Sequence, residues 1–223
     1  MTGCEKSTIP EKDVLADRVD RRDEGPYSRS VDIVLASASP RRRELLKKIV
    51  DDFRVAPSGV DETKIKERDP VKFALEAAIL KARDVGERHP SSLVIAADTI
   101  VCLGDRIIGK PRNREDARRT LEALSGTRHR VITAVALFKK NVNRWLTGYE
   151  ESFVRFRKLE SEAIHTYLNT GDSLDKAGSY AIQEVNDAFV ESLEGDYDNV
   201  VGLPVGLLSR LLAQFPEVET TAL

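Results

Sequence analysis

The sequence predicts an α/β fold with a mixed sheet and flanking helices, and three observations carry that expectation. Short apolar, strand-like runs alternate with stretches of helical periodicity along residues 31 to 215. No internal repeat recurs, which sets aside solenoid and propeller architectures. At 223 residues and 41% apolar content, the chain is long enough for one substantial domain with a real core. Residues 1 to 29 are rich in charge and lack both an apolar h-region and the acid-poor composition of a transit peptide. They read as a flexible extension, and residues 30 to 215 as the folded domain.

Val31 to Ala36 is an apolar, largely β-branched run and predicts the first strand. Pro40 opens the first helix, where its missing N–H would be unpaired anyway, and Ser39 is the natural N-cap. Phe53 to Ala56 follows as a short strand, then the turn-rich Pro57-Ser58-Gly59 and the acidic pair Asp61-Glu62. A second helix starts near Pro70, because Phe73, Ala77 and Leu80, with Ala74 and Ala78, recur at helical spacing. Lys81 lies at the edge of that apolar stripe, so it either snorkels or points into a site. Ser92 to Ala97 is an apolar strand, continued beyond Asp98 by Thr99 to Leu103 and turned by Gly104-Asp105. Burying an unpaired carboxylate is costly, so Asp98 should sit at a strand end or meet a cation.

Gly109-Lys110-Pro111 leads into a helix capped by Asn113, with Ala117, Leu121 and Leu124 on one face and Gly126 as its stop. Val131 to Phe138 and Trp145 to Phe156 predict two long strands joined by the polar turn Lys139 to Asn143. Glu160 to Leu168 is a short helix ended by Asn169 to Gly171. The glycines and small residues of Asp175 to Gln183 predict tight backbone packing near a cleft, followed by a strand near Ala188 to Leu193. Gly195 to Pro204 comes next, and Leu207 to Phe215 closes the domain as an amphipathic helix.

The junction from Leu35 to Leu46 carries the clearest chemistry. It joins strand to helix through Ser37 and Ser39, and it places Arg41, Arg42 and Arg43 in the first helical turn. Unpaired backbone N–H groups at a helix start attract anions, and guanidinium forks bind phosphate oxygens in pairs. A solvated basic face and a plain serine cap are the blander alternatives.

Composition excludes several classes. With 35 basic and 37 acidic residues the net charge is −2, which argues against a general nucleic-acid or membrane-surface binder. The longest apolar runs are strand-sized, far short of a bilayer span. Cys4 and Cys102 are the only cysteines and suggest neither a disulfide framework nor a thiolate metal cluster, so a reducing, cytoplasmic setting is expected.

Seven ordered motifs spread over residues 31 to 212 resemble the Maf-like family of nucleotide pyrophosphatases, named for septum formation. They are Ser37-x-Ser39-Pro40-Arg41-Arg42, Val60-Asp61-Glu62, Ala97-Asp98-Thr99, Gly109-Lys110-Pro111, Leu124-Ser125-Gly126, Asp175-Lys176-Ala177-Gly178 and Asn199-Val200-Val201-Gly202-Leu203-Pro204. The resemblance implies an elongated two-lobed fold, similar to inosine triphosphate pyrophosphatases, with the nucleotide in a cleft between lobes. It implies hydrolysis of a nucleoside triphosphate to the monophosphate and pyrophosphate with a divalent metal, and it favours a homodimer. Ala97-Asp98-Thr99, the Ser125 to Val135 run, Asp175 to Gly178 and Ile182-Gln183 resemble the dTTP and UTP pattern. The 7-methyl-GTP pattern tends to show Ser-Asp-Gln at residues 97 to 99. One departure stands out: Glu184 follows Gln183, where the family usually has glycine.

The residue types suit that chemistry. Arg41, Arg42, Lys81 and Lys110 supply cations for a triphosphate, while Ser37 and the amides near Ser39 can hydrogen-bond its oxygens. Asp98 and Glu62 are hard oxygen ligands of the sort Mg²⁺ or Mn²⁺ prefers; Asp98 is assigned as metal ligand and candidate general base, Glu62 as second ligand. Gln183 offers a donor and an acceptor on one amide, matching the edge shared by uracil and thymine. His129 reads as structural, and Asp175 and Lys176 either shape the pocket or pair at a surface turn. Two other readings compete: a pool-cleaning pyrophosphatase for modified nucleotides, and a non-catalytic nucleotide-binding regulator of cell division. The two carboxylates argue against the second, because phosphate binding alone needs only the cations.

Overall fold

A computed structural model describes residues 31 to 215 apart from 172 and 175. The extension at residues 1 to 29, Cys4 and Asp175 lie outside the described residues. The sheet is organised by β3 (Leu93–Leu103), whose sequence LVIAADTIVCL is apolar on both faces because helices cover it on both sides. β1 (Ile33–Leu35) pairs parallel with β2 (Arg54–Val55) and with residues 93 to 95 of β3. On the same edge, β4 (Arg106–Ile108) folds back antiparallel onto residues 101 to 103. The opposite edge carries β5 (Arg128–Lys139), β6 (Arg144–Phe156) and β7 (Val190–Glu194), all antiparallel. Among the described residues the sheet therefore runs β2-β1-β3-β5-β6-β7, with β4 beside β3.

Because β1 stops at residue 95 of its partner and β4 starts at residue 101, the edge of β3 is open across Asp98 to Ile100. A carboxylate and a hydroxyl in mid-strand can be reached only through such a gap. It lies beyond the C-terminal end of a parallel strand, where ligands gather in open α/β sheets.

Helix α2 (Pro70–Arg88), capped by Asp69, covers one face. Its buried positions are small, Ala74, Ala77, Ala78, Ala82, Val85 and Gly86, so its backbone lies close on β3 and β5. The closest approach is at Gly86, where an added Cβ would stand 2.4 Å from Phe138 Cδ1 and 2.7 Å from Cε1. Gly86→Ala should therefore destabilise by about 1 to 3 kcal/mol through overpacking, reversing the roughly 1 kcal/mol that alanine gains inside a helix. A lowered melting temperature checks this, and a raised one would show that Phe138 moves aside freely.

The other face is covered by α1 (Pro40–Leu46), α3 (Arg114–Leu124), α4 (Ser161–Asn169), α5 (Ile182–Phe189), α6 (Tyr197–Val201) and α7 (Val205–Leu212). Leu45, Leu121, Leu124, Ile164, Phe189, Leu208 and Leu212 pack there on Leu35, Ile95, Val135 and Phe156. No described helix is long and apolar enough to cross a membrane.

Most expected elements stand, with boundaries moved by a few residues. The strand expected near Ala188 to Leu193 begins instead at Val190, since Ile182, Val185 and Phe189 share one helical face and bury it. Residues 197 to 201, within the Gly195 to Pro204 stretch to which no element was assigned, form a short helix capped by Asp196. The last helix starts at Val205 rather than Leu207, directly after Pro204.

Candidate active site

Ser39 caps α1 with φ −65° and ψ 119°, its hydroxyl accepting from the Arg42 N–H at 3.4 Å. The Ser39 N–H in turn donates to Ser37 Oγ at 3.2 Å, so the strand-to-helix turn is held by its own serines. Arg41 and Arg42 are half-buried and line a cavity of about 470 Å³, whereas Arg43 is exposed and outside it. Arg42 is fastened at three of its nitrogens: Nε donates to Gly202 O at 2.7 Å, Nη2 to Thr99 Oγ1 at 2.9 Å and Nη1 to Ser37 Oγ at 3.4 Å. Burial pushes its guanidinium below the ordinary value against the opposing pull of Asp98 and Glu62, and it stays charged.

Across the cavity, Lys81 from α2 reaches Asp98 Oδ1 at 2.6 Å and Glu62 Oε1 at 2.5 Å. Lys81 thus points into the site, and Asp98 meets its cation in mid-strand rather than at a strand end. The side chains of Asp98, Lys81 and Glu62 are 6%, 12% and 34% exposed, so the triad grades from buried wall to cavity mouth. Asp61 caps the 3₁₀ turn Glu62–Lys64 by accepting from the Thr63 N–H at 3.1 Å, which orients Glu62 inward. Burial works to raise the Glu62 carboxyl, but the charge and hydrogen bond of Lys81, with the charges of Lys110 and Arg42, outweigh it and hold it below the usual range.

The third wall comes from late in the chain. Lys110 and Gln183 are exposed cavity residues, joined by Lys176, Tyr180, Val200 and Gly202. Gly178 has φ +71°, and an added Cβ would stand 2.8 Å from Val101 Cγ2, which bears out the expected tight packing. Lys176 is buried and pairs with Glu184 at 3.6 Å, while Glu184 also accepts from the Tyr167 hydroxyl at 3.0 Å. At the unusual position, then, Glu184 fits its helix and tethers a lysine of the cavity wall. His129 is buried, its Nε2 is 2.7 Å from the Tyr180 hydroxyl, and burial drives it down to about 4, so it is a neutral strut for that wall.

The cavity accordingly gathers Ser37, Ser39, Arg41, Arg42, Glu62, Lys81, Asp98, Lys110 and Gln183 from segments spread over more than 140 residues. Sequence reasoning missed the hydroxyl and carbonyl contacts behind Arg42, made by Thr99, Thr133 and the residue 199 to 202 segment. Their signal was present: Thr99 and Thr133 are polar residues inside apolar strands.

Asp98 and Glu62 were assigned to a metal. Among the described residues no group of three or more His, Cys, Asp or Glu side chains could hold one. The two carboxylates share an ammonium ion instead. Yet Asp98 Oδ2 is buried without a hydrogen-bond partner, a hard oxygen with its lone pairs unused behind the cavity wall. Two carboxylate donors completed by substrate phosphates suit Mg²⁺ or Mn²⁺, so the residues fit the ion.

Comparison with known proteins agrees with the motifs. The family described as Maf-like protein matches residues 32 to 215. The chain is 44% identical over 180 residues to a dTTP/UTP pyrophosphatase of Pyrococcus furiosus, covering 81% of this chain and 93% of that protein. It is 48% identical over 181 residues to one of Thermosipho africanus, covering 81% and 91%. With one of Clostridium botulinum it shares 42% over 186 residues, covering 82% and 96%.

Proposed function

The chain belongs to the Maf-like family and is a nucleoside triphosphate pyrophosphatase; from that premise we propose that dTTP and UTP, with CTP as a further substrate, are what it cleaves at the α–β linkage. The observation that carries the chemistry is Asp98, a buried carboxylate in a gap of the sheet, with one oxygen on Lys81 and the other without a hydrogen-bond partner. Arg42, held at three points, directs its remaining N–H groups at the phosphates, and Arg41 and Lys110 add charge around them. Ser37 accepts both of its contacts and keeps its own proton for a phosphate oxygen.

Asp98 is the general base that takes a proton from the attacking water, and Lys81 offsets the repulsion between that carboxylate and Glu62. Asp98 and Glu62 together would hold the divalent cation. When bound, Mg²⁺ or Mn²⁺ neutralises charge on the triphosphate. The Gln183 amide meets the O4 and N3–H edge shared by uracil and thymine, and the Tyr180 ring walls that end of the cavity. A homodimer in the cytoplasm completes the reading.

The test is pyrophosphate release from dTTP, UTP, CTP, GTP, 7-methyl-GTP and ITP with Mg²⁺ or Mn²⁺. Release should favour dTTP and UTP, and EDTA should lower it by at least about a hundredfold. Preference for ITP or another modified base would move the reading to pool cleaning. Tight binding with no release from any of them would leave a nucleotide-binding regulator.

A further inference from the structure

Resting on the phosphate-binding role given to Arg42, we propose that Thr133 is a positioning residue: it ends a one-way chain of hydrogen bonds that aligns the Arg42 guanidinium. Thr133 is fully buried on β5 and stands directly opposite Thr99 of β3 in the register. Its hydroxyl donates to Asn199 O at 2.8 Å. That carbonyl lies in the last turn of α6, where it has no partner within the helix, and a carbonyl can only accept.

A hydroxyl has one proton, so the direction of every other contact follows. Thr133 Oγ1 is 2.9 Å from Thr99 Oγ1, and with its proton already spent it must accept there. Thr99 therefore donates to Thr133, and its lone pairs face Arg42 Nη2, which donates at 2.9 Å. The chain reads Arg42 to Thr99 to Thr133 to Asn199, each link donating to the next. Thr99 has no proton left for a substrate, unlike Ser37. Its 3.5 Å approach to Gly202 O is not a second donation, and that carbonyl stays with Arg42 Nε.

The anchor itself is fixed by the same logic. Asn199 is fully buried, and its Nδ2 donates to Val131 O at 3.1 Å and to Ser152 Oγ at 2.9 Å. Ser152 spends its proton on Asp196 O at 2.9 Å, so it can only accept from Asn199. The segment from Asp196 to Gly202 is thereby pinned to β5 and β6. It offers Arg42 one carbonyl directly, at Gly202, and one through two threonines, at Asn199. With three of its five N–H groups committed, Arg42 keeps one on Nη1 and one on Nη2, a fork of fixed orientation for an anion.

Without the Thr133 hydroxyl, the Thr99 proton loses its acceptor and turns to Gly202 O, where it competes with Arg42 Nε. The fork then loosens although no residue of the cavity has changed. Calorimetric binding of inorganic tripolyphosphate reads this without requiring turnover. Thr133→Val should weaken binding about tenfold and Thr133→Ser should restore it to within about twofold, a loss of the size expected for one neutral hydrogen bond. Thr99→Val, which leaves the Asn199 carbonyl satisfied, should repeat the loss, and Thr133→Ala carries the test if Thr133→Val does not fold. In an Arg42→Gln background, Thr133→Val should add no more than about a twofold loss, because coupled residues are not additive. Wild-type binding by both threonine variants, the full loss persisting without Arg42, or a wild type that binds no tripolyphosphate would each overturn the proposal. Should wild type bind tripolyphosphate yet release no pyrophosphate from any nucleotide, the proposed function fails while the alignment of Arg42 is still measured.

Discussion

Asp98→Asn should reduce kcat for pyrophosphate release by at least about a thousandfold, the upper range for a lost general base, with the fold intact. The substitution keeps volume and leaves an amide oxygen to accept from Lys81, so the 2.6 Å contact survives in weaker form. What it removes is negative charge, at the oxygen that is buried and unpartnered as well as at the one on Lys81. Lys81 keeps Glu62 at 2.5 Å, so no cation is stranded and the stability cost should stay near 1 to 2 kcal/mol, about that of a weakened hydrogen bond. At saturating Mg²⁺ or Mn²⁺, which makes up for the weakened cation site, KM should not rise, because one fewer carboxylate faces the incoming triphosphate. A fall in kcat without a rise in KM is the mark of an interaction made in the transition state rather than in binding. Turnover within tenfold of wild type would remove Asp98 from the chemistry, and a rise in KM alone would make it a binding residue.

The same carboxylate shows where sequence reasoning succeeds and where it stops. That Asp98 interrupts a buried run was visible from its neighbours, and so was its need for a cation. Lys81 was visible too, as a charge at the edge of an alanine stripe. What opens the strand edge beside them was not, because it depends on β1 ending at residue 95 and β4 beginning at residue 101 of the same strand edge. Those are tertiary facts: two short strands choose their register by what packs beside them, and local pattern does not report it. The contacts behind Arg42 were hidden for the same reason, since Thr99 and Thr133 meet only through the β3–β5 register. The stretch around residue 188 misled differently. A strand was expected near Ala188 to Leu193, while Ile182, Val185 and Phe189 at helical spacing decided the outcome up to Phe189.

Lys81→Met should cost more than activity. In the wild type its ammonium is the charge that offsets burial at Glu62 and the hydrogen-bond partner of Asp98 Oδ1. Removing it strands a carboxylate whose side chain is only 6% exposed, which should destabilise the protein by about 3 kcal/mol near neutral pH. The sign of the pH dependence follows from Glu62, held below its ordinary value in the folded state. A carboxyl depressed by folding contributes stability that is present above its unfolded value and is lost as pH falls through the folded one. The variant lacks the Lys81 share of that contribution at every pH. The gap in melting temperature between wild type and Lys81→Met should thus be widest near pH 7 and close as pH drops below the ordinary carboxylate range. Burial, less opposed once Lys81 is gone, should also raise the Glu62 carboxyl and with it the acid limb of the pH–rate profile, so that kcat, down about a hundredfold at pH 7, partly recovers in base. A gap that does not narrow in acid, with an unmoved acid limb, would mean that Lys81 serves the site by contact with substrate alone and not by holding Glu62 ionised.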